Sequence, residues 1–218
     1  MTRAVLFDLY ETLVDYDEAT SRAFSDSMAE LLGQPQHEFA RTWRSGRPLR
    51  ETGPLGTYLL ETLGLDAQQA TAVTQRRQAW SRKLLAHPRA GAVETLRELR
   101  TRGLVTGMIT VCSDDVPAVW NETPFAELFD AVVFSCLVGL RKPDPRIYLL
   151  ACERLGVQPE DAVFVGDGAN DELGGAERVG MRAILIHRAE HDPASHEVAE
   201  WRGPRVTQLP QLLELLLP

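Results

Sequence analysis

Apolar residues recur along the chain in two rhythms. Short, largely unbroken apolar runs occur at Ala4–Phe7, 104–110, Ala131–Phe134, 162–165 and 183–186. Runs this short, apolar at successive rather than alternate positions, predict strands buried on both faces of a parallel sheet. Between them, apolar residues return every third or fourth position. Residues 92–102 put Val93, Leu96 and Leu99 on one helix face and stop before Gly103; Pro145–Leu155 stops before Gly156, and 172–179 stops before Gly180. A glycine just past the last periodic residue is a helix stop. From about residue 90 onward helix and strand alternate, which predicts a doubly wound, Rossmann-like α/β core with right-handed crossovers.

The segment between the first strand and residue 90 departs from that alternation. It carries helical periodicity alone, at Glu18–Leu32, 36–44, 55–63 and 67–86, broken at Gly33, at Gly46-Arg47-Pro48 and at Gly64. Helices inserted after strand one predict a separate helical cap (15–88) on a core formed by 1–14 and 89–218, with His87-Pro88-Arg89-Ala90-Gly91 as the return linker. Residues 189–205 lack periodicity and predict an exposed excursion before a terminal helix at 210–217.

In open α/β sheets ligands bind beyond the carboxyl ends of the strands. Asp8-Leu9-Tyr10-Glu11-Thr12 follows the first run, Thr110 ends the second, and Lys142-Pro143-Asp144-Pro145 lies just past the third. Gly166-Asp167-Gly168-Ala169-Asn170-Asp171 follows the fourth. The kit is a carboxylate, a hydroxyl, an amine and a carboxylate pair on one rim. A carboxylate such as Asp8 can attack phosphorus and form an aspartyl-phosphate, dividing one hard step into two. The approach of two anions requires neutralisation, for which Mg2+ is suited because it binds carboxylates and phosphate oxygens together. Asp167 and Asp171, at i and i+4, would face one ion if Asp171 opened the next helix. Lys142 supplies a fixed positive charge and Thr110 a hydrogen-bond donor to phosphoryl oxygens.

Composition narrows the partners. The chain has 218 residues, 44% hydrophobic and 25% charged, with a formal net charge of −8. An acidic chain is a poor tracker of a nucleic-acid backbone, so a small-molecule substrate is expected. No apolar run reaches the roughly 18–20 residues of a membrane helix, and Met1-Thr2-Arg3 before a short apolar run predicts no secretory leader. Cys112, Cys136 and Cys152 are odd in number and widely spaced. They read as reduced, partly buried thiols of a cytoplasmic protein.

Phe7-Asp8-Leu9-Tyr10-Glu11-Thr12-Leu13, Thr110, Lys142-Pro143-Asp144-Pro145 and Gly166-Asp167 with Asp171 match, in order and spacing, the four motifs of the haloacid dehalogenase-like (HAD) hydrolase superfamily. The helical insertion resembles that superfamily's helical cap. The resemblance implies that Asp8 is nucleophile and metal ligand, with the Tyr10 backbone carbonyl, Asp167 and Asp171 completing a Mg2+ site. It implies that Thr12, Thr110 and Lys142 bind the phosphoryl group. Three positions depart from the phosphatase pattern. Tyr10 stands where most HAD phosphatases have a second, leaving-group acid, as in the superfamily's metal-independent 2-haloacid dehalogenases. Glu11 replaces a usual glycine and is the nearest candidate to supply that missing acid–base function. Val111 replaces a common asparagine.

The carboxylates at the fourth motif favour a phosphatase acting on a small phosphorylated metabolite. The alternatives are a 2-haloacid dehalogenase and a catalytically impaired binding or regulatory protein. Glu172 reads as a solvated first-turn acid, and Asp114 and Asp115 as the start of a helix. Arg41, Arg44, Arg47 and Arg50 recur every third residue; they read first as a solvated helix face, and second as recognition of an anionic substrate tail. Trp43, Trp80, Trp120 and Trp201 read as packing residues, with Trp43 able to touch substrate.

Overall fold

A computed structural model describes residues 1–16, 18–188 and 196–216. Its six strands are β1 (Ala4–Phe7), β2 (Val105–Thr110), β3 (Ala131–Phe134), β4 (Ala162–Gly166), β5 (Arg182–Ile186) and β6 (Arg205–Val206). They form one parallel sheet in the order β3-β2-β1-β4-β5-β6. The period of two along a strand divides the core. Val5 and Phe7 pack into one apolar layer, while Ala4 and Leu6 pack into the other. Both faces of β1 are fully buried, which is why its sequence shows no polar alternation.

The helices are α1 (Glu18–Leu32), α2 (Gln36–Ser45), α3 (Arg47–Glu51), α4 (Leu55–Thr57), α5 (Ala67–Leu85), α6 (Ala92–Thr101) and α7 (Asp115–Val119). They continue with α8 (Ser135–Val138), α9 (Pro145–Leu155), α10 (Glu172–Arg178), α11 (His196–Glu200) and α12 (Gln211–Leu216). The expected helix at 55–63 is irregular: α4 passes into a wide turn, Tyr58–Thr62, closed by Leu63 N donating to Tyr58 O (3.0 Å). The break expected at Gly46-Arg47-Pro48 falls at Gly46, which separates α2 from α3, and Arg47-Pro48 open α3. Proline in a first turn forfeits no intrahelical hydrogen bond and brings a preset φ. Gly46 is required for space, since a Cβ there would lie 2.1 Å from the Tyr58 hydroxyl. Of the expected excursion at 189–205, residues 189–195 lie outside the described residues; the remainder holds α11 and the start of β6.

Helices α1 to α5 have their own apolar cluster, centred on Phe24, Met28, Phe39, Trp43, Leu55, Leu59 and Val73. They meet the sheet layers mainly where α5 packs on α7. Ser81 donates to Asp115, and Arg77 Nε lies 3.0 Å from the same carboxylate. Leu55 N donates to Asp114 Oδ2 (3.0 Å). The two acids expected only to open a helix therefore also fasten the helical layer to the core. Cys112, Cys136 and Cys152 are free and buried. Among the described residues no helix is long and apolar enough to cross a membrane.

Candidate active site

Strand order reverses between β2-β1 and β4, the place where an open sheet leaves a crevice at its carboxyl edge. Asp8 follows β1 there, its backbone N donating to Val165 O (2.9 Å). Asp167 follows β4, and Thr110 closes β2. Lys142 reaches the same point from the loop between α8 and α9, where its Nζ donates both to Asp8 Oδ1 and to Glu172 Oε2. Thr12 and Thr110 are fully buried, and their hydroxyls have no hydrogen-bond partner among the described residues. Buried hydroxyls are costly to leave unmatched, so both have donor capacity to spare.

The fourth motif folds differently from its expected reading. Gly168, Asn170 and Asp171 all adopt the left-handed conformation, with φ of 85, 55 and 55°. The i,i+4 rule holds only along a continuous right-handed helix, and these residues interrupt one. Asp171 consequently points outward and pairs with Arg178 (2.8 Å), both half exposed. Glu172 takes the inward place. It is 2% exposed rather than solvated, accepts from Gly168 N (3.2 Å), and lies over Gly166, where a Cβ would come 2.0 Å from Oε1. The Tyr148 hydroxyl supports this turn by donating to Glu172 O (2.8 Å). One oxygen from each of Asp8, Asp167 and Glu172 falls within 4.8 Å of the others. The missed signal was the run of turn-forming residues between Asp167 and Glu172.

Charge is unbalanced at this point. Burial raises the Asp8 carboxyl above its ordinary value; Lys142 opposes the rise and Asp167 adds to it. Glu172 is raised well above its ordinary value by burial, with Asp8 and Asp167 adding repulsion against the pull of Lys142. Burial works against the Lys142 ammonium, yet Asp8 and Glu172 outweigh it and hold the group above its usual value. Three carboxylates thus share one buried ammonium. A hard divalent cation fits that donor set and that deficit of positive charge.

Tyr10 and Glu11 occupy the turn after Asp8. Burial pushes the Tyr10 phenol well above its ordinary value despite nearby Arg77, so it stays protonated. Its ring lies 5.0 Å from that of Tyr16. Glu11 is not free for acid–base work: Oε1 accepts from Tyr16 N, and Oε2 accepts from Arg89 Nη2 (2.7 Å). Arg89, whose side chain is only 3% exposed, also binds the Glu11 carbonyl and Asp15 (2.6 Å). Glu11 is therefore a clasp between the first-strand turn and the return linker. Arg89→Ala is expected to destabilise the fold by about 2–3 kcal/mol, less than a fully buried pair because Asp15 is solvated. An equilibrium urea midpoint reads this directly. Glu11→Gln, which keeps a hydrogen-bond acceptor, should leave turnover within about threefold.

Two cavities open at this edge. One, of about 190 Å3, includes Asp8, Lys142, Asp167 and Glu172 in its wall. The other, of about 210 Å3, lies toward the helical layer and includes Trp43, Arg44, Arg50 and Arg77. Tyr10, Arg47 and Val111 line both. Three members of the arginine run therefore face a cavity, Arg50 as a buried residue, and not a purely solvated helix face.

Residues 2–180 match the family model of the haloacid dehalogenase-like hydrolases. The (S)-2-haloacid dehalogenase 4A of Burkholderia cepacia is 31% identical, over 98% of this chain and 94% of its own length. A glyceraldehyde 3-phosphate phosphatase of Pyrococcus furiosus is 28% identical, over 98% and 92%. A solved HAD phosphatase from Thermococcus onnurineus shares the fold, with a TM-score of 0.71 and 24% identity over 99% of this chain and 98% of that one. Dehalogenases and phosphatases thus stand side by side among its relatives, and the chain belongs to the haloacid dehalogenase-like hydrolases.

Proposed function

We propose that this hydrolase is a Mg2+-dependent phosphatase that takes the phosphoryl group of a small phosphorylated metabolite onto Asp8. The observation that carries the reading is the convergence of Asp8, Asp167 and Glu172 on one point with a single ammonium among them. Carboxylates gathered at that density call for a cation. A reaction that brings a phosphoryl dianion to Asp8 needs the same cation. Bound Mg2+ would be held by these three carboxylates and would neutralise charge on the phosphoryl oxygens. Asp8 would attack phosphorus in line, and the bond from phosphorus to the leaving oxygen would break. Water would then attack the aspartyl-phosphate, breaking its bond to Asp8 and releasing inorganic phosphate and the free carboxylate. Lys142 would balance charge beside the nucleophile, and the buried hydroxyls of Thr12 and Thr110 would donate to phosphoryl oxygens. Helices α1 to α5 would act as the cap, bounded near residues 15 and 88, that shields the reaction from water. Three buried free thiols favour a reducing cytoplasmic setting.

The decisive assay is release of inorganic phosphate from an aryl phosphate, with Mg2+ and after chelation. Activity that disappears on chelation and returns with Mg2+ supports the reading. Metal-indifferent release of halide from 2-chloropropionate, without phosphatase activity, would replace it with the second reading, a 2-haloacid dehalogenase. Tyr10 and the dehalogenase relative favour that alternative.

Ligand assignment gives a sharper prediction. Glu172→Gln should weaken Mg2+ activation on the order of 10–100-fold, whereas Asp171→Asn should change it by less than about threefold. Mg2+ titrations of the two variants separate the buried acid from the solvated one. The reverse ranking would return Asp171 to the metal site.

A further inference from the structure

The cavity toward the helical layer differs in charge from the rest of the protein. The chain carries a formal net charge of −8, yet four arginines, Arg44, Arg47, Arg50 and Arg77, line this cavity against one acid, Glu51. The acids at hand are already engaged. Glu51 is shared between Arg47 Nε (2.9 Å) and Arg141 Nη2 (2.9 Å). Asp115 is paired with Arg77 and also accepts from Ser81.

That leaves Arg50 as the anomaly. It is 5% exposed, lies over the Trp43 ring (4.2 Å) and near that of Tyr58 (5.8 Å), and donates to the Trp43 carbonyl. Among the described residues no carboxylate lies within ion-pair distance of it. Burial and the neighbouring Arg77 charge bring its pKa down to about 10, so the guanidinium is still charged at neutral pH. Glu51 offsets its charge only at a distance, being in contact with Arg47 and Arg141 instead. A buried cation without a contacting counter-ion is costly, and a planar guanidinium is suited to a bidentate oxyanion. Arg47 lines both cavities and so spans the distance from the phosphoryl end to Arg50.

We propose that the substrate carries a second oxyanion, remote from the scissile bond, that enters this cavity and is bound by Arg50 with Arg47. The proposal rests on the reading that Asp8 receives the phosphoryl end. The two modest cavities, about 210 and 190 Å3, suit a metabolite of a few carbons with an anionic group at each end. A carboxylate and a second phosphate share the required chemistry.

Calorimetric binding to the Asp8→Asn protein with Mg2+ distinguishes these sources without needing turnover. 2-Phosphoglycolate is compared with ethyl phosphate, and propane-1,3-diyl bisphosphate with propyl phosphate. At least one charged ligand should bind about tenfold or more tightly than its neutral-tailed partner. The pair that shows the gain identifies the oxyanion. The advantage should vanish when Arg50→Met is added and shrink when Arg47→Gln is added. Arg47 is half exposed, so its variant serves if the Arg50 variant does not fold. Equal binding within both pairs overturns the proposal. Equal binding together with wild-type phosphate release overturns it while leaving the phosphatase reading in place. A charged-tail advantage without phosphate release from any substrate supports the oxyanion site and removes the phosphatase reading.

Discussion

Asp8→Asn is expected to lower turnover by on the order of 10^4-fold or more, as loss of a covalent nucleophile does elsewhere, while leaving the fold intact. Asparagine matches aspartate in shape but offers no anionic oxygen to attack phosphorus. The fold should survive because the substitution removes charge from a crowded place. Asp8 is buried, and Asp167 already disfavours its ionisation. Lys142 keeps its second partner, Glu172. A thermal melt within a few degrees of wild type, beside absent phosphate release, would be the signature of a group kept for chemistry rather than stability. A comparable loss of stability and activity would instead make the Asp8–Lys142 pair a structural one. Retention of more than about a tenth of the activity would remove Asp8 from the nucleophile role under either the phosphatase or the dehalogenase reading.

Sequence patterning located the sheet because strands buried on both faces leave a direct mark. Each of the five expected apolar runs is a strand in the structure, within a residue at either end. β6 escaped because a two-residue edge strand has no periodicity to detect. The nucleophile turn and Thr110 were legible because each stands at or just past the carboxyl end of a strand, and parallel topology gathers those ends; Lys142 reaches the same edge from the loop after α8. Distances along the chain were less dependable where the backbone leaves standard geometry. The left-handed turn at Asn170 and Asp171 exchanges the inward places of Asp171 and Glu172, and spacing alone does not disclose it. The arginine run shows the opposite limit. Its period was visible, but Gly46 and Pro48 divide it between α2 and α3, so the folding of those helices around Trp43 decides which arginines face inward. Glu11 is near Asp8 in sequence, whereas its partner, Arg89, is remote along the chain and adjacent only in the fold.

Tyr10 and Glu11 together lead to the second large effect, a steep dependence of rate on the leaving group. When phosphorus passes to Asp8, the departing oxygen takes up negative charge. A phosphatase with a carboxylic acid nearby protonates that oxygen as it leaves, an aid worth about 10^2–10^4-fold. Here the phenol at Tyr10 is held well above its ordinary pKa and is a feeble acid. The carboxylate at Glu11 is committed to Arg89 and Tyr16 N. Substrates whose leaving oxygen is stable as an anion, such as acyl and nitrophenyl phosphates, should therefore turn over about 10^2–10^4-fold faster than simple alkyl phosphates. A series of substituted phenyl phosphates, extended to alkyl phosphates, measures the slope of rate against leaving-group pKa. A steep slope would place this chain's chemistry near that of an enzyme expelling halide, a leaving group that needs no proton. It would explain how Tyr10 is compatible with a phosphoryl-transfer site. A flat slope would reveal an acid that neither position provides.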